Sequence, residues 1–97
     1  MSKAYVTELT ALATHMIGAQ IAQMPPVAEQ TVTFTTSTQS SAFNAATRYI
    51  CVHSPAICSI AIGANPTATT STMRLPADTL IYFGVTAGDK IAFVDNT

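Results

Sequence analysis

Cys51, His53 and Cys58 are the residues of this chain whose types and spacing come nearest to chemistry, three potential metal ligands within eight positions. A structural zinc needs four ligands converging at about 2.0–2.3 Å, and a catalytic one needs three and an open position. On a strand, Cys51 and His53 point to one face. A hairpin centred on Ser54-Pro55 would bring Cys58 opposite Cys51. No fourth ligand follows in the sequence, because the other histidine, His15, lies far upstream. The expectation is therefore no metal and no cofactor, with the two cysteines as small buried hydrophobes. A disulfide between directly opposed strand positions strains the geometry the bond requires. A chain made in a reducing cytoplasm also starts with free thiols. Free thiols are the expected state.

Nucleophilic catalysis finds equally little support. His53 is followed at once by Ser54-Pro55, with no Gly-x-Ser-x-Gly elbow and no orienting acid nearby. The four glycines are well separated and form no phosphate-cradling loop. Glu8, Glu29, Asp78, Asp89 and Asp95 make no close pair for acid–base work. Asp78 and Asp89 read as turn residues, in Pro76-Ala77-Asp78 and Ala87-Gly88-Asp89. The expectation is a protein that is not an enzyme.

Charge narrows the partners. Only 9% of the 97 residues are charged, against about 25% in an ordinary soluble domain. Threonine, alanine and serine take their place. Such a surface loses little hydration energy when a partner covers it, which points to a subunit of an assembly. Lys3, Arg48, Arg74 and Lys90 are scattered, so no basic cluster exists to neutralise phosphates, and direct nucleic-acid binding is not expected. No segment approaches the roughly 20 apolar residues of a membrane-spanning helix, so no membrane partner is expected. The opening MSKAYVTEL lacks the apolar run of a secretion signal.

The elements that must position these residues read as strands. Gln30 to Thr35 alternates, with Val32 and Phe34 on one face and threonines on the other. Arg48–His53 and Ile57–Ile62 read as two arms of a hairpin, with Cys58, Ile60 and Ile62 sharing a face. Residues 36–41 and 67–72 are polar Ser/Thr loops. Thr79–Val85 carries apolar residues on both faces, Leu80, Ile81, Tyr82 and Phe83 among them, and so belongs at the centre of a sandwich or under another subunit. Lys90–Val94 closes the set. The fold class expected is all-β, a small β-sandwich or jelly-roll-like barrel over residues 28–97.

Residues 1–27 read as a separate N-terminal arm fenced off by Pro25-Pro26. Leu9, Leu12, Ala13, Met16 and Ile17 fit a helical spacing, while Val6, Thr7, Thr10, Thr14 and Gly18 oppose a helix. The balance favours an extended arm with room for one helical turn. Tyr5, Val6, Leu9, Leu12, Met16, Ile17 and Ile21 are too apolar for a solvated tail and are expected to contact a neighbouring subunit. Removing residues 1–24 is then expected to leave a folded β domain that has lost its anchor.

The second half has a recognisable order: TRYICV at 47–52, IAIGANPTA at 60–68, MRLPADT at 73–79, IYFGV at 81–85 and AGDKIAFV at 87–94. Over about residues 30–95 it resembles small virion structural proteins of tailed bacteriophages, of the kind that decorate (cement) the capsid. Cys51 and Cys58 depart from that pattern. The resemblance implies a β-sandwich or jelly-roll module on the capsid exterior, assembled in the host cytoplasm. It also implies self-association, with a trimer expected, and bridging of major capsid protein subunits to stabilise the shell. The alternative is a head-fibre or tail-fibre module that binds a host surface. Such a module should carry exposed aromatics on its loop tips, where this chain has Ser, Thr and Ala.

Overall fold

The computed structural model describes residues 2–13, 21–22 and 24–96, and every described element is a strand. In chain order these are β1 (Ser2–Leu9), β2 (Leu12–Ala13), β3 (Ile21–Ala22), β4 (Ala28–Phe34), β5 (Thr38–Gln39), β6 (Tyr49–Ser54), β7 (Cys58–Gly63), β8 (Met73–Leu75), β9 (Thr79–Gly84) and β10 (Lys90–Asp95). Two four-stranded antiparallel sheets form the body. The first has the order β4-β1-β6-β9 and the second β5-β10-β7-β8, with β2 and β3 as a separate pair. The all-β expectation holds, in sandwich form.

Alternation in the sequence becomes the core. Val6, Val32, Phe34, Ile50 and Val52 of the first sheet meet Cys58, Ile60, Leu75, Ile91 and Phe93 of the second. The rings of Phe34 and Phe93 stack across the gap at 5.3 Å. Each fully buried side chain of this size contributes about 1.5–3 kcal/mol. Phe43, from the loop before β6, also packs into the core.

Two expectations are corrected. Ser2–Leu9 do not form an arm. They make β1, an inner strand paired with β4 on one side and β6 on the other. Val6 and Leu9 are each 1% exposed, so they belong to the chain's own interior and are not free to contact a neighbour. The sandwich consequently begins at residue 2 and not at residue 28. Of the other arm residues, Leu12 and Ile21 lie in the pair β2–β3, with Leu12 opposite Ala22 and Ile21 opposite Ala13. Met16 and Ile17 lie outside the described residues. The β2–β3 pair is joined to the body where Tyr49 Oη donates to Ala11 O at 2.7 Å and Val27 N donates to Glu8 O at 2.9 Å. The Met24–Pro25 peptide is cis.

The second correction concerns the central hairpin. β6 and β7 belong to different sheets, and residues 55–57 carry the chain across between them. Both long edges of β6 are already occupied, by β1 and β9, so β7 pairs with β10 and β8 in the opposite sheet. Ser54, 4% exposed, holds the corner. Its Oγ donates to Lys3 O at 2.8 Å and accepts from Ala56 N at 3.2 Å. The crossing turns Ile50 and Val52 to face Cys58 and Ile60 across the core, where a hairpin would have set them side by side.

Candidate functional site

The separation of β6 from β7 dissolves the Cys51–His53–Cys58 cluster. Cys51 sits opposite Thr7 and Tyr82 on the first sheet. Cys58 sits opposite Leu75 and Asp95 on the second, in the core. Burial pushes the Cys58 thiol above its ordinary value and the nearby Asp95 carboxylate adds to this, while a hydrogen bond with Ser54 opposes it. Burial likewise raises the Cys51 thiol, against a hydrogen bond with Tyr82. Both cysteines are free. His53 has Asp78 Oδ1 at 3.8 Å, and its ring stacks on Tyr5 with centroids 6.2 Å apart. Among the described residues no three His, Cys, Asp or Glu side chains gather as a metal site would require.

What the fold does assemble is the outward face of the first sheet. The register sets Tyr5 beside His53 and His53 beside Leu80 in one row. Thr7, Cys51 and Tyr82 form the next row, and Leu9, Tyr49 and Gly84 a third. All three tyrosines of the chain therefore share one face. Tyr49 and Tyr82 approach to 6.3 Å between ring centroids. Tyr5 is 46% exposed, Leu80 57% and Tyr82 53%. The phenylalanines go the other way. Phe34, Phe43 and Phe93 are buried and Phe83 packs against the core. The phenol hydroxyl decides this partition, since a buried one needs a partner while a surface one has water.

Thr79–Gly84, expected at the centre of a sandwich or under another subunit, alternates in burial along its length. β9 is an edge strand, not a central one. Ile81 and Phe83 pack against the core, whereas Leu80 and Tyr82 face outward without cover among the described residues. No Lys, Arg, Asp or Glu stands among the eight side chains that β1, β6 and β9 contribute to the three rows with Gly84. Lys3 and Glu29 lie towards the margins, on β1 and the edge strand β4. An apolar, aromatic centre with charge at the rim is the anatomy of a protein interface. A shallow depression of about 190 Å³ between β1 and β4, lined in part by Tyr5, Glu29 and Thr31, adds relief to this surface.

The outward face of the second sheet is partly covered by the chain itself. Residues 64–72 fold over it, fastened at several points. Gln39 Nε2 donates to Asn65 Oδ1 and to Pro66 O, each at 2.8 Å. Ala68 N donates to Ser37 Oγ at 3.0 Å, and Asn96 Nδ2 donates to Thr70 O at 3.4 Å. Ser59 and Ala92 are fully buried there. The Thr/Ser loop read as a polar connection is thus a cover.

A buried carboxylate that the sequence did not advertise lies at one end of β1. Glu8 is 2% exposed. Its Oε1 accepts from Asn44 N at 2.7 Å and Thr47 Oγ1 at 2.8 Å, and its Oε2 accepts from Gln30 Nε2 at 2.9 Å. The group clasps β1 to β4 and to the loop before β6. With these partners it acts as a structural tie.

Comparison of the chain with protein-family models, with curated proteins and with solved structures returns no match. No helix among the described residues is long and apolar enough to cross a membrane.

Proposed function

We propose that this chain is a non-enzymatic structural subunit that decorates and stabilises a tailed-phage capsid. In this reading the outward face of the first sheet binds major capsid protein and copies of the chain itself on the capsid exterior. One observation carries the reading: of the two outward sheet faces, one is partly covered by residues 64–72, while the other presents Tyr5, Leu80 and Tyr82 about half exposed. Tyrosine is enriched where proteins meet, and charge is depleted at the centre of such surfaces. The low charge of the whole chain points the same way. Each decorating copy that touches two shell subunits adds an interface that must break before the shell does.

The fibre reading would draw support from aromatics on loop tips. The exposed tyrosines lie on strands instead, and residues 36–41 and 64–72 contain none.

Cosedimentation with expanded capsids that lack a decorating protein is the test. The full chain should pellet with the particles at a fixed ratio to the major capsid protein and raise their rupture temperature. The double substitution Tyr5→Lys with Tyr82→Lys should abolish both effects while the isolated chain keeps its melting transition. A folded wild-type chain that stays in the supernatant would overturn the proposal.

A further inference from the structure

A sandwich of two open sheets has four edge strands, and an unprotected edge is a template for pairing with another chain. Three of the four edges here are blunted. β5 has two residues and β8 has three, with Arg74 inside it and Pro76 directly after it. β4 is long but carries Glu29 and follows Pro25-Pro26. β9 has six residues with no charge, no proline and nothing paired to its outer side among the described residues.

The ladder with β6 fixes which groups of β9 are free. Val85 N donates to Arg48 O at 3.0 Å, in the register that pairs Phe83 with Ile50 and Ile81 with Val52. Backbone groups of successive residues in an antiparallel strand point to alternate sides. Thr79, Ile81 and Phe83 therefore bond to β6, and the N–H and C=O groups of Leu80, Tyr82 and Gly84 point to the open edge. These are the same residues that form the outward face of β9. Nothing lies within 4 Å of where a side chain on Gly84 would begin.

We infer that two copies of the chain join edge to edge through β9, antiparallel about a two-fold axis, with Tyr82 opposite Tyr82 of the second copy. In this register each Leu80 lies opposite the other copy's Gly84, whose missing side chain leaves it room. The backbone groups of Leu80, Tyr82 and Gly84 find partners, and the two first sheets become one eight-stranded sheet. The tyrosine faces of both copies then form one continuous surface. The inference specifies the self-association within the proposed function and stands apart from capsid binding.

Sedimentation equilibrium on the full chain at high micromolar concentration should give twice the 10.2 kDa of the chain. Leu80→Lys, at an exposed position, should give a monomer with an unchanged melt. Tyr5→Lys, on the same face but two strands in from the edge, should remain a dimer. Amide hydrogen exchange supplies a readout that needs no variant. Protection of the Leu80, Tyr82 and Gly84 amides should rise with protein concentration, while the β4 amides do not change. A wild-type monomer or trimer, a dimer that survives Leu80→Lys, or absent protection at the three amides would overturn edge pairing. Dissociation by Tyr5→Lys equal to that by Leu80→Lys would overturn it in favour of face-to-face stacking. A monomer that still binds capsids would sink this inference alone, and a β9-paired dimer that ignores capsids would sink only the decoration reading.

Discussion

Glu8 shows how much a single residue can carry in a chain with so few charges. Its carboxylate holds the buried Thr47 hydroxyl and, at part-buried positions, the Asn44 N–H and the Gln30 amide. Replacing it by alanine leaves the buried Thr47 hydroxyl and two part-buried N–H donors without this acceptor, and a buried orphan costs about 1–3 kcal/mol. Glu8→Ala should therefore lose roughly 2–4 kcal/mol of stability in chemical denaturation, with Glu8→Gln milder because the shape and one acceptor survive. The cysteines behave in the opposite way, as apolar groups. Cys58 is fully buried and Cys51 is 9% exposed. A thiol reagent should modify Cys51 slowly in the folded protein and Cys58 only on unfolding, read as a two-phase labelling time course. Burial raises both thiols above the ordinary value of 9.0. Above that pH the unfolded chain releases thiol protons that the folded chain keeps. Stability should therefore fall as pH rises past 9, and replacing both cysteines with alanine should flatten that alkaline limb.

Among the elements, β1 decides whether the sandwich exists. It lies between β4 and β6, so its removal would split the first sheet and strip Val6 from the core. Deleting residues 1–9, or the longer segment 1–24, should abolish the cooperative thermal melt followed by circular dichroism. A truncated chain that still melts cooperatively would refute this placement of β1. The helical spacing of Leu9, Leu12 and Ala13 disguised the strand. The alternation that marks it, with Ala4 and Val6 inward and Tyr5 and Thr7 outward, breaks at Glu8, an inward charge. That charge is tolerated because its partners arrive from 22 to 39 residues further along the chain. β9 illustrates the converse. Its apolar residues on both faces are plain in the sequence, but whether such a strand is central or at an edge depends on what pairs with it.

At the scale of the whole molecule, the two sheets divide the work. The second sheet packs on the core on one side and is partly covered by residues 64–72 on the other. The first packs on the core on one side, and its other side gathers every tyrosine of the chain. A weakly charged surface with that asymmetry has little to keep copies apart and one face on which contact removes apolar area from water.

Short-range physics was enough to locate most strands and turns. Alternation places Val32 and Phe34, and Cys58, Ile60 and Ile62, on buried faces, and the structure keeps them there. Asp78 and Gly88, read as turn residues, adopt φ of 56° and 86°, in the left-handed region that tight turns demand. Those features depend on a residue and its immediate neighbours. The sheet to which each strand belongs does not. Residues 55–57 suit a hairpin or a crossing equally well, and the crossing prevails because β1 and β9 already fill both sides of β6. The candidate site follows from that same choice. Tyr5, Tyr49 and Tyr82 come from three parts of the chain and meet only because β1, β6 and β9 pair in one register. Strand pairing is a contact between distant segments, so the tertiary structure alone could turn scattered tyrosines into a surface.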